Sequence, residues 1–294
     1  FMELLKILKD IEILSVNGQV DIDIEDISYD SRKVKQNSMF LCIRGNTVDG
    51  HNYIDDAIQK GAIAILIDKK ISYKKGITYI RVNNVKESMA IIGKNFFQNP
   101  FQKINLIGVS GTNGKTSTVS FIKQILGYDC KVGIIGTIEI YDGEKTITSI
   151  NTTPESLDIQ KNLNEMIKNN CKYCVMEVSS HALVLNRIDN IDYEAAVFTN
   201  LTQDHLDFHK TLENYKNAKE KLFYKTKSIN IFNIDDKVGE EFFNKSLNRD
   251  IKTYTYGVEK EADFKAANIK LYDDRTEYDL IIDKQKYKVS TPIL

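Results

Sequence analysis

Short apolar runs alternate along this chain with longer stretches whose apolar residues recur every three or four positions. The runs predict buried strands, and the periodic stretches predict helices. In the first third, Ser38–Ile43, Ala62–Asp68 and Thr78–Val82 read as strands, and Tyr53–Lys60 and Val85–Phe97 as helices. Asn99-Pro100-Phe101-Gln102-Lys103 then interrupts the pattern as a linker. The alternation resumes with an apolar run from Ile104 to Val109, a helical stretch from Ser117 to Leu126, and a strand at Lys131–Ile135. It continues with helix Ser156–Asn169, strands Cys174–Val178 and Glu194–Thr199, helix Leu212–Tyr224 and strand Ser228–Asn233. Residues 252–294 turn strand-rich, at Ile269–Leu271, Tyr278–Ile282 and Tyr287–Val289. The prediction is an α/β protein: a small α/β domain over residues 1–98, then a doubly wound, mostly parallel sheet over 104–294. Such a sheet takes its ligands at the carboxyl ends of its strands. The chain stops at Ser290-Thr291-Pro292-Ile293-Leu294 with no closing helix, so this second domain is expected to be cut short, with a poorly ordered edge at Ile293-Leu294.

Composition removes whole classes of function. At 294 residues with 42% apolar and 28% charged residues, this is an ordinary globular chain. A net charge of -1 argues against non-specific nucleic-acid binding. The longest apolar runs are too short to span a bilayer, and the N-terminus lacks the form of a secretion signal. Cys171 and Cys174 form a Cys-x-x-Cys pair, which alone would allow redox chemistry or zinc. No second pair accompanies it, and Cys174 opens an apolar run, so the four cysteines are read as reduced thiols.

The chemistry concentrates after the linker. Gly111-Thr112-Asn113-Gly114-Lys115-Thr116 lies between a predicted strand and a predicted helix. Backbone N–H groups at a helix N-terminus cradle phosphate, a lysine reaches the terminal phosphates, and a threonine hydroxyl serves Mg²⁺. A plain glycine turn is the bland alternative; Gly-Lys-Thr in this setting argues for phosphate. The loop is a variant, because Val109 stands where the common pattern has glycine and Gly108 comes one step earlier. Three further strands each end in polar clusters: Glu177-Val178-Ser179-Ser180-His181, Thr199 to Asp207, and Asn233-Ile234-Asp235-Asp236. In a parallel sheet these converge on the rim that carries the glycine loop. Singly, Glu177 reads as a solvated loop residue and His205 as an ordinary surface or core histidine; jointly they suit a nucleotide and a hard cation. Lys219, between Lys216 and Lys221, reads on its own as part of a solvated helix face.

Gly111–Thr116, Asn151-Thr152-Thr153-Pro154, Met176–His181 and Asp204-His205-Leu206-Asp207 together closely resemble the Mur ligase family. Asp30-Ser31-Arg32, Phe40, Gly45 and Asp49-Gly50-His51 match the pattern of that family's UDP-binding domain, so the resemblance covers nearly the whole chain. It implies an ATP-dependent, amide-forming ligase of peptidoglycan precursor synthesis. In that reaction ATP phosphorylates the free carboxylate of UDP-N-acetylmuramoyl-L-alanyl-D-glutamate. The amine of a diamino acid, meso-diaminopimelate or L-lysine, then displaces the phosphate. ATP and Mg²⁺ are the implied cofactors. A cytoplasmic monomer, without membrane insertion or nucleic-acid partner, is the implied setting.

The same resemblance distributes roles. Gly111, Thr112, Asn113, Gly114, Lys115, Thr116 and Ser117 would hold ATP, with Asn233 and Asp236 near its base and ribose. Thr116 and Glu177 would hold one magnesium and His205 a second. Lys219 would be carbamylated by CO₂ and act as a metal ligand; Lys216 and Lys221 have no such counterpart. Lys115, Glu177, His205 and Lys219 would carry catalysis. Ser31, Asn46, Thr47 and Val48 would sit at the uridine, and Asn151, Thr152, Thr153, Ser179 and Arg187 along the muramoyl-dipeptide. Some members have glutamine where this chain has Leu185, two residues before that arginine. The family's third domain, which binds the incoming amino acid, is absent from this chain, so the polypeptide alone is expected to bind ATP and UDP-linked substrate weakly and make no product. Two relatives of the reaction remain as alternatives. Folylpolyglutamate synthetase lacks a domain like residues 1–98, and the next ligase of the same pathway departs at Thr152-Thr153-Pro154 and Ser179-Ser180-His181. A non-catalytic nucleotide-binding module is the alternative of another class.

Overall fold

The computed structural model describes residues 1–45 and 48–292; the expectations placed on Asn46, Thr47 and the Ile293-Leu294 end lie outside the described residues. The chain divides into two compact units, the first made of Phe1–Lys103, Glu155–Asn164 and Asn186–Asn190, the second of the remainder.

In the first unit the elements run β1 (Met2–Glu3), α1 (Leu4–Ile7), β2 (Ile13–Asn17), β3 (Asp23–Ile24), β4 (Asp26–Ser28), β5 (Ser38–Leu41), α2 (Ile54–Gln59), β6 (Ala62–Ile67), β7 (Thr78–Val82) and α3 (Val85–Phe96). The sheet order is β2-β7-β6-β5-β4, parallel except for the β2–β7 pair. Its middle strand β6 is apolar at every position, and β5 and β7 nearly so, because helices cover both faces. Met39, Leu41, Ala64, Leu66 and Ile80 pack with Leu4, Ile7, Met89 and Ile92 on one side. The alternate residues Phe40, Ile65, Ile67 and Tyr79 pack with Ile54 and Ala57 on the other. Asn84 caps α3 by accepting the Lys86 and Glu87 N–H groups, which fixes where that helix starts. Leu157 joins the first of these clusters, and Gln160 donates its amide to the Ala90 carbonyl at 2.7 Å. The supposed linker is packed: Pro100 and Phe101 are buried in a short 3-10 turn, entered through Asn99 at φ 53°.

The second unit contains β8 (Asn105–Ser110), α4 (Lys115–Leu126), β9 (Lys131–Ile135), β10 (Glu139–Tyr141), β11 (Thr146–Thr148), most of the closing turns of α5 (Ser156–Lys168), β12 (Cys171–Glu177), α6 (Ser180–Val184), β13 (Tyr193–Phe198), α7 (Leu206–His209), α8 (Leu212–Glu220), β14 (Thr226–Asn233), α9 (Lys237–Ser246) and β15 to β18 (Lys252–Gly257, Phe264–Leu271, Thr276–Ile282, Gln285–Thr291). The strand order is β11-β10-β9-β12-β8-β13-β14-β15-β16-β17-β18. Pairing is parallel from β9 through β16 and antiparallel at both edges. After β8 the chain moves to β9, returns to β12 beside β8, then crosses to β13 on the other side. The carboxyl ends of β12, β8 and β13 therefore flank the point where the winding reverses, the position where such sheets leave a crevice. The expected doubly wound, mostly parallel α/β architecture is what the chain forms.

Two details depart from the sequence pattern, and a third accounts for the unusual spacing of the glycine loop. The helix expected over Leu212–Tyr224 ends as α8 at Glu220, and residues 221–224 tighten into a 3-10 turn that buries Leu222 and Phe223. Helix α9 escaped the pattern because Gly239 sits in its first turn, yet Asp236 caps it on the Val238 and Gly239 N–H groups. Gly108 belongs to the strand, not the loop; a Cβ there would lie 3.0 Å from the Tyr193 ring. Among the described residues all four cysteines are free thiols, and no helix is long and apolar enough to cross a membrane.

Gly239 makes the tightest fit outside the glycine loop, with room for a Cβ only 1.9 Å from the Asn233 carbonyl oxygen. Gly239→Ala should therefore push α9 off the end of β14 and cost about 1–3 kcal/mol. A urea titration of the variant should show a lower midpoint; an unchanged midpoint would refute this account of the packing.

Candidate nucleotide and metal site

The glycine loop is shaped by contacts its own sequence does not contain. Gly111 adopts φ +153°, and a Cβ on it would lie 1.9 Å from Thr199 Oγ1. The closeness lets the end of β13 clasp the loop. The Thr112 N–H donates to the Asn200 carbonyl (2.8 Å), the Asn113 N–H to Asn200 Oδ1 (3.0 Å), and Thr199 Oγ1 to the Asn113 carbonyl (2.7 Å). Gly114, at φ +81°, begins α4 with no side chain capping it. The first N–H groups of a twelve-residue helix are thus left for an anion, at the positive end of its dipole.

Glu177 ends β12 beside this loop, 1% exposed. Its Oε1 accepts from the Thr116 hydroxyl (3.0 Å) and the Thr137 N–H (2.8 Å), and its Oε2 from the Thr137 hydroxyl (3.0 Å). Thr137 Oγ1 also meets Thr152 Oγ1 at 3.1 Å. A buried carboxylate held by three donors next to a phosphate cradle is a hard-oxygen ligand waiting for a cation. Among the described residues no group of three or more His, Cys, Asp or Glu side chains can hold a metal alone. Glu177 by itself is the donor type that suits Mg²⁺, which takes one or two carboxylates and fills its remaining positions with phosphate oxygens and water.

Two lysines meet on one carbonyl. Lys115 Nζ donates to the Gly111 carbonyl (3.0 Å) and the Thr112 carbonyl (2.7 Å), while Lys219 Nζ donates to the same Gly111 carbonyl at 2.6 Å. Burial pushes the Lys115 ammonium below its ordinary pKa, against the pull of Glu177 and Asp204. Burial, reinforced by the Lys115 charge, pushes Lys219 much further down. Lys219 is 1% exposed, with Nζ 4.5 Å from the centre of the Tyr215 ring. The solvated helix face read from sequence is corrected here. Residues 215, 218, 219 and 222 share one spacing and one buried side. His205 is half-exposed in the left-handed region at φ 52°, its ring edge-on to His181 at 4.9 Å. His209 Nε2 lies 2.8 Å from Ser180 Oγ, and burial lowers its pKa.

The other expected residues fall in several places. Thr153 Oγ1 donates to the Glu177 carbonyl (2.8 Å) and accepts the Ser179 N–H (3.0 Å), while Ser179 Oγ caps α6. Asn151 and Ser117 are exposed. Asn233 Nδ2 donates to the Thr199 carbonyl (2.9 Å), and Asp236 Oδ2 accepts the Leu201 N–H (3.0 Å), so both brace the rim beside the loop. In the first unit, Arg187 pairs with Glu155 at 2.8 Å. There too, a cleft of about 420 Å³ follows the ends of β4 and β5, lined by residues including Ser31, Arg32, Phe40, Gly45 and Val48. Asp30 shapes its floor by accepting the Arg32 N–H at 3.0 Å.

With this geometry in place, comparison with known proteins is decisive for the family. The Mur ligase middle domain matches residues 109–294, and the domain described as Mur ligase family, catalytic domain matches residues 23–98. The chain belongs to the Mur ligase family. It is 48% identical over 293 residues to a UDP-N-acetylmuramoyl-L-alanyl-D-glutamate–2,6-diaminopimelate ligase of Clostridioides difficile, covering 99% of this chain and 60% of that protein. A relative of the same description from Clostridium acetobutylicum, numbered ligase 1, is 47% identical over 282 residues, covering 95% and 57%. This Mur ligase chain thus spans about 60% of the length of the first of these curated relatives. A solved diaminopimelate ligase structure matches all of the chain and 60% of its own, with TM-score 0.81 at 24% identity. The Thermotoga maritima MurF ligase in complex with ADP matches 90% of this chain and 58% of its own, with TM-score 0.65 at 20% identity. At these identities the structures show the shared Mur ligase fold.

Thr137 was missed because it follows a short strand with no motif around it, and its link to Glu177 spans forty residues. For Lys219 the depressed pKa fixes a sign. Between that pKa and the ordinary 10.5 the unfolded chain binds a proton the folded chain lacks. Its burial therefore costs stability, and the cost shrinks as the pH rises toward 10.5. Lys219→Met should be more stable than the unaltered chain at pH 7 and gain less at pH 10, measured by urea unfolding. A variant less stable at pH 7 would contradict it.

Proposed function

We propose that this chain is the UDP-substrate- and ATP-binding portion of a UDP-N-acetylmuramoyl-L-alanyl-D-glutamate–2,6-diaminopimelate ligase acting in the cytoplasm. The observation that carries the reading is one strand rim that joins an uncapped helix N-terminus, the Thr116–Glu177 contact and the Lys115–Lys219 pair on Gly111. The relatives' shared description supports diaminopimelate rather than lysine as the added amino acid.

The chemistry must bring a triphosphate and a carboxylate together against their mutual repulsion. Open N–H groups of α4 take the β- and γ-phosphates, and Lys115 leaves its carbonyl contacts to meet them. Thr116 and Glu177 would hold one magnesium ion and His205 would serve a second, which would supply charge neutralisation at the phosphates. The substrate carboxylate attacks the γ-phosphorus, ADP leaves, and an acyl phosphate forms. The amine of diaminopimelate then attacks the acyl carbon, phosphate departs, and the amine's proton passes to solvent or phosphate. Asn151, Thr152, Thr153 and Ser179 orient the muramoyl-dipeptide for the in-line approach. The cleft around Ser31 and Val48 holds the uridine end. A lysine that burial drives toward its neutral amine is suited to carbamylation: nitrogen bonds the carbon of CO₂, a proton is released, and the cation becomes an anion able to face magnesium. This is the role proposed for Lys219.

Two measurements test the reading. Calorimetric titration with Mg·ATP should give Lys115→Ala an affinity weaker by about a hundredfold or more, with the fold retained. Equal affinity would remove Lys115 from the phosphate site. With ¹³C-bicarbonate, the unaltered chain should show a carbamate carbon resonance that Lys219→Ala lacks; the same resonance in both would remove Lys219 from the role.

A further inference from the structure

The cleft of the first unit is backed by charges that its sequence motif does not explain. Arg44 and Asp49 form an isolated antiparallel bridge, the Gly45 N–H reaches the Val48 carbonyl at 2.8 Å, and the Gly50 N–H reaches the Ile43 carbonyl at 2.9 Å. These contacts bring together the two ends of the segment that contributes Ile43, Gly45, Val48 and Gly50 to the cleft wall. Both ends are then tied to the residues just past β6. Arg44 Nη2 lies 2.6 Å from Asp68 Oδ1, and Lys69 Nζ lies 2.6 Å from Asp49 Oδ2.

His51 stands between the two ties. Its side chain is 2% exposed. Asp49 Oδ1 receives both its backbone N–H (3.0 Å) and its Nδ1 (2.6 Å), and its Nε2 faces Asp68 Oδ1 at 3.4 Å. Nε2 is buried and makes no hydrogen bond. Burial raises the Asp49 carboxyl, but hydrogen bonds from Lys69 and His51 outweigh it and hold the group far below the usual carboxylate range. A buried imidazole between two carboxylates, one on the cleft segment and one on the strand end, sets the distance between those elements.

We propose that His51 is a positioning residue for a pyrimidine nucleotide diphosphate, fixing the cleft wall by bridging Asp49 to Asp68 without touching the ligand. This rests on the reading of that cleft as the uridine site. Leucine at this position would leave the two carboxylates unbridged, asparagine would keep a nitrogen near Nδ1, and glutamine would keep one near Nε2.

The test is calorimetric titration of the unaltered chain and of His51→Asn, His51→Gln and His51→Leu with UDP, and separately with Mg·ATP. The expected result is UDP affinity about threefold weaker than the unaltered chain for His51→Asn and His51→Gln, which each keep one side of the bridge, and about tenfold weaker for His51→Leu, which keeps neither. ATP affinity should be unchanged throughout. Should His51→Leu fail to fold, the asparagine and glutamine variants decide the matter by themselves. UDP binding that is equal in all folded variants overturns the inference and leaves the uridine reading intact. Parallel loss of UDP and ATP affinity also overturns it, since that marks a general effect on the fold. No UDP binding by the unaltered chain overturns the uridine reading and this inference with it.

Discussion

The candidate nucleotide rim depends on the absence of one methyl group. Because Gly111 has no Cβ, Thr199 Oγ1 can occupy the space a side chain would need, 1.9 Å from that missing atom. The end of β13 then lies against the loop closely enough for Thr199 and Asn200 to hold Thr112 and Asn113 by backbone and side-chain hydrogen bonds. Those bonds set the direction of the Gly111 carbonyl, and that carbonyl collects Lys115 and Lys219. A single steric allowance on β8 thereby sets loop shape, lysine placement and the field at the helix N-terminus.

That field is built from burial as much as from charge. Both lysines lose water, so each has its proton affinity lowered; Lys219, the more enclosed and facing the Lys115 charge, is lowered further. Glu177 escapes the same fate as an isolated buried carboxylate because Thr116 and Thr137 give it three donors. Thr116 lies in the first turn of α4, which follows β8, and Thr137 follows β9, so the carboxylate is held from both neighbours of β12. Preorganisation of this kind means that no large rearrangement is needed to present an oxygen ligand beside the phosphate cradle.

Much of this was legible in sequence, and the reasons for the rest are physical. Strand β7 was readable to the residue because Thr78–Val82 is β-branched and aromatic and no helical period competes with it. The glycine loop was readable because its parts are contiguous. Lys219 was not, because two exposed or half-exposed lysines flank it; only its four-residue spacing from Tyr215 and three-residue spacing to Leu222 places it on the apolar side. Thr137 and the Asp49–His51–Asp68 arrangement join residues from separate strand ends, and no local pattern encodes a distance between loops. Gly108 was noticed as a spacing anomaly of the loop, while its actual constraint is the Tyr193 ring packed over β8.

The two candidate sites, one in each unit, place their charges in opposite ways. In the second, cations and a carboxylate are buried at the site itself, where low dielectric makes each worth more and each proton affinity moves. In the first, the cleft wall combines apolar and glycine positions with the ion pair of Asp30 and Arg32, and Arg44, Asp49, His51, Asp68 and Lys69 are likewise paired with one another. Charges paired in this way supply shape and not field, because their mutual attraction is spent on geometry. A wall of that kind suits recognition of a flat, uncharged base, whose fit depends on where the backbone lies. The buried, unpaired field of the second unit suits a phosphoryl group, whose charge changes as it moves. The division of chemistry between the units therefore follows from where each places its charges relative to its cavity.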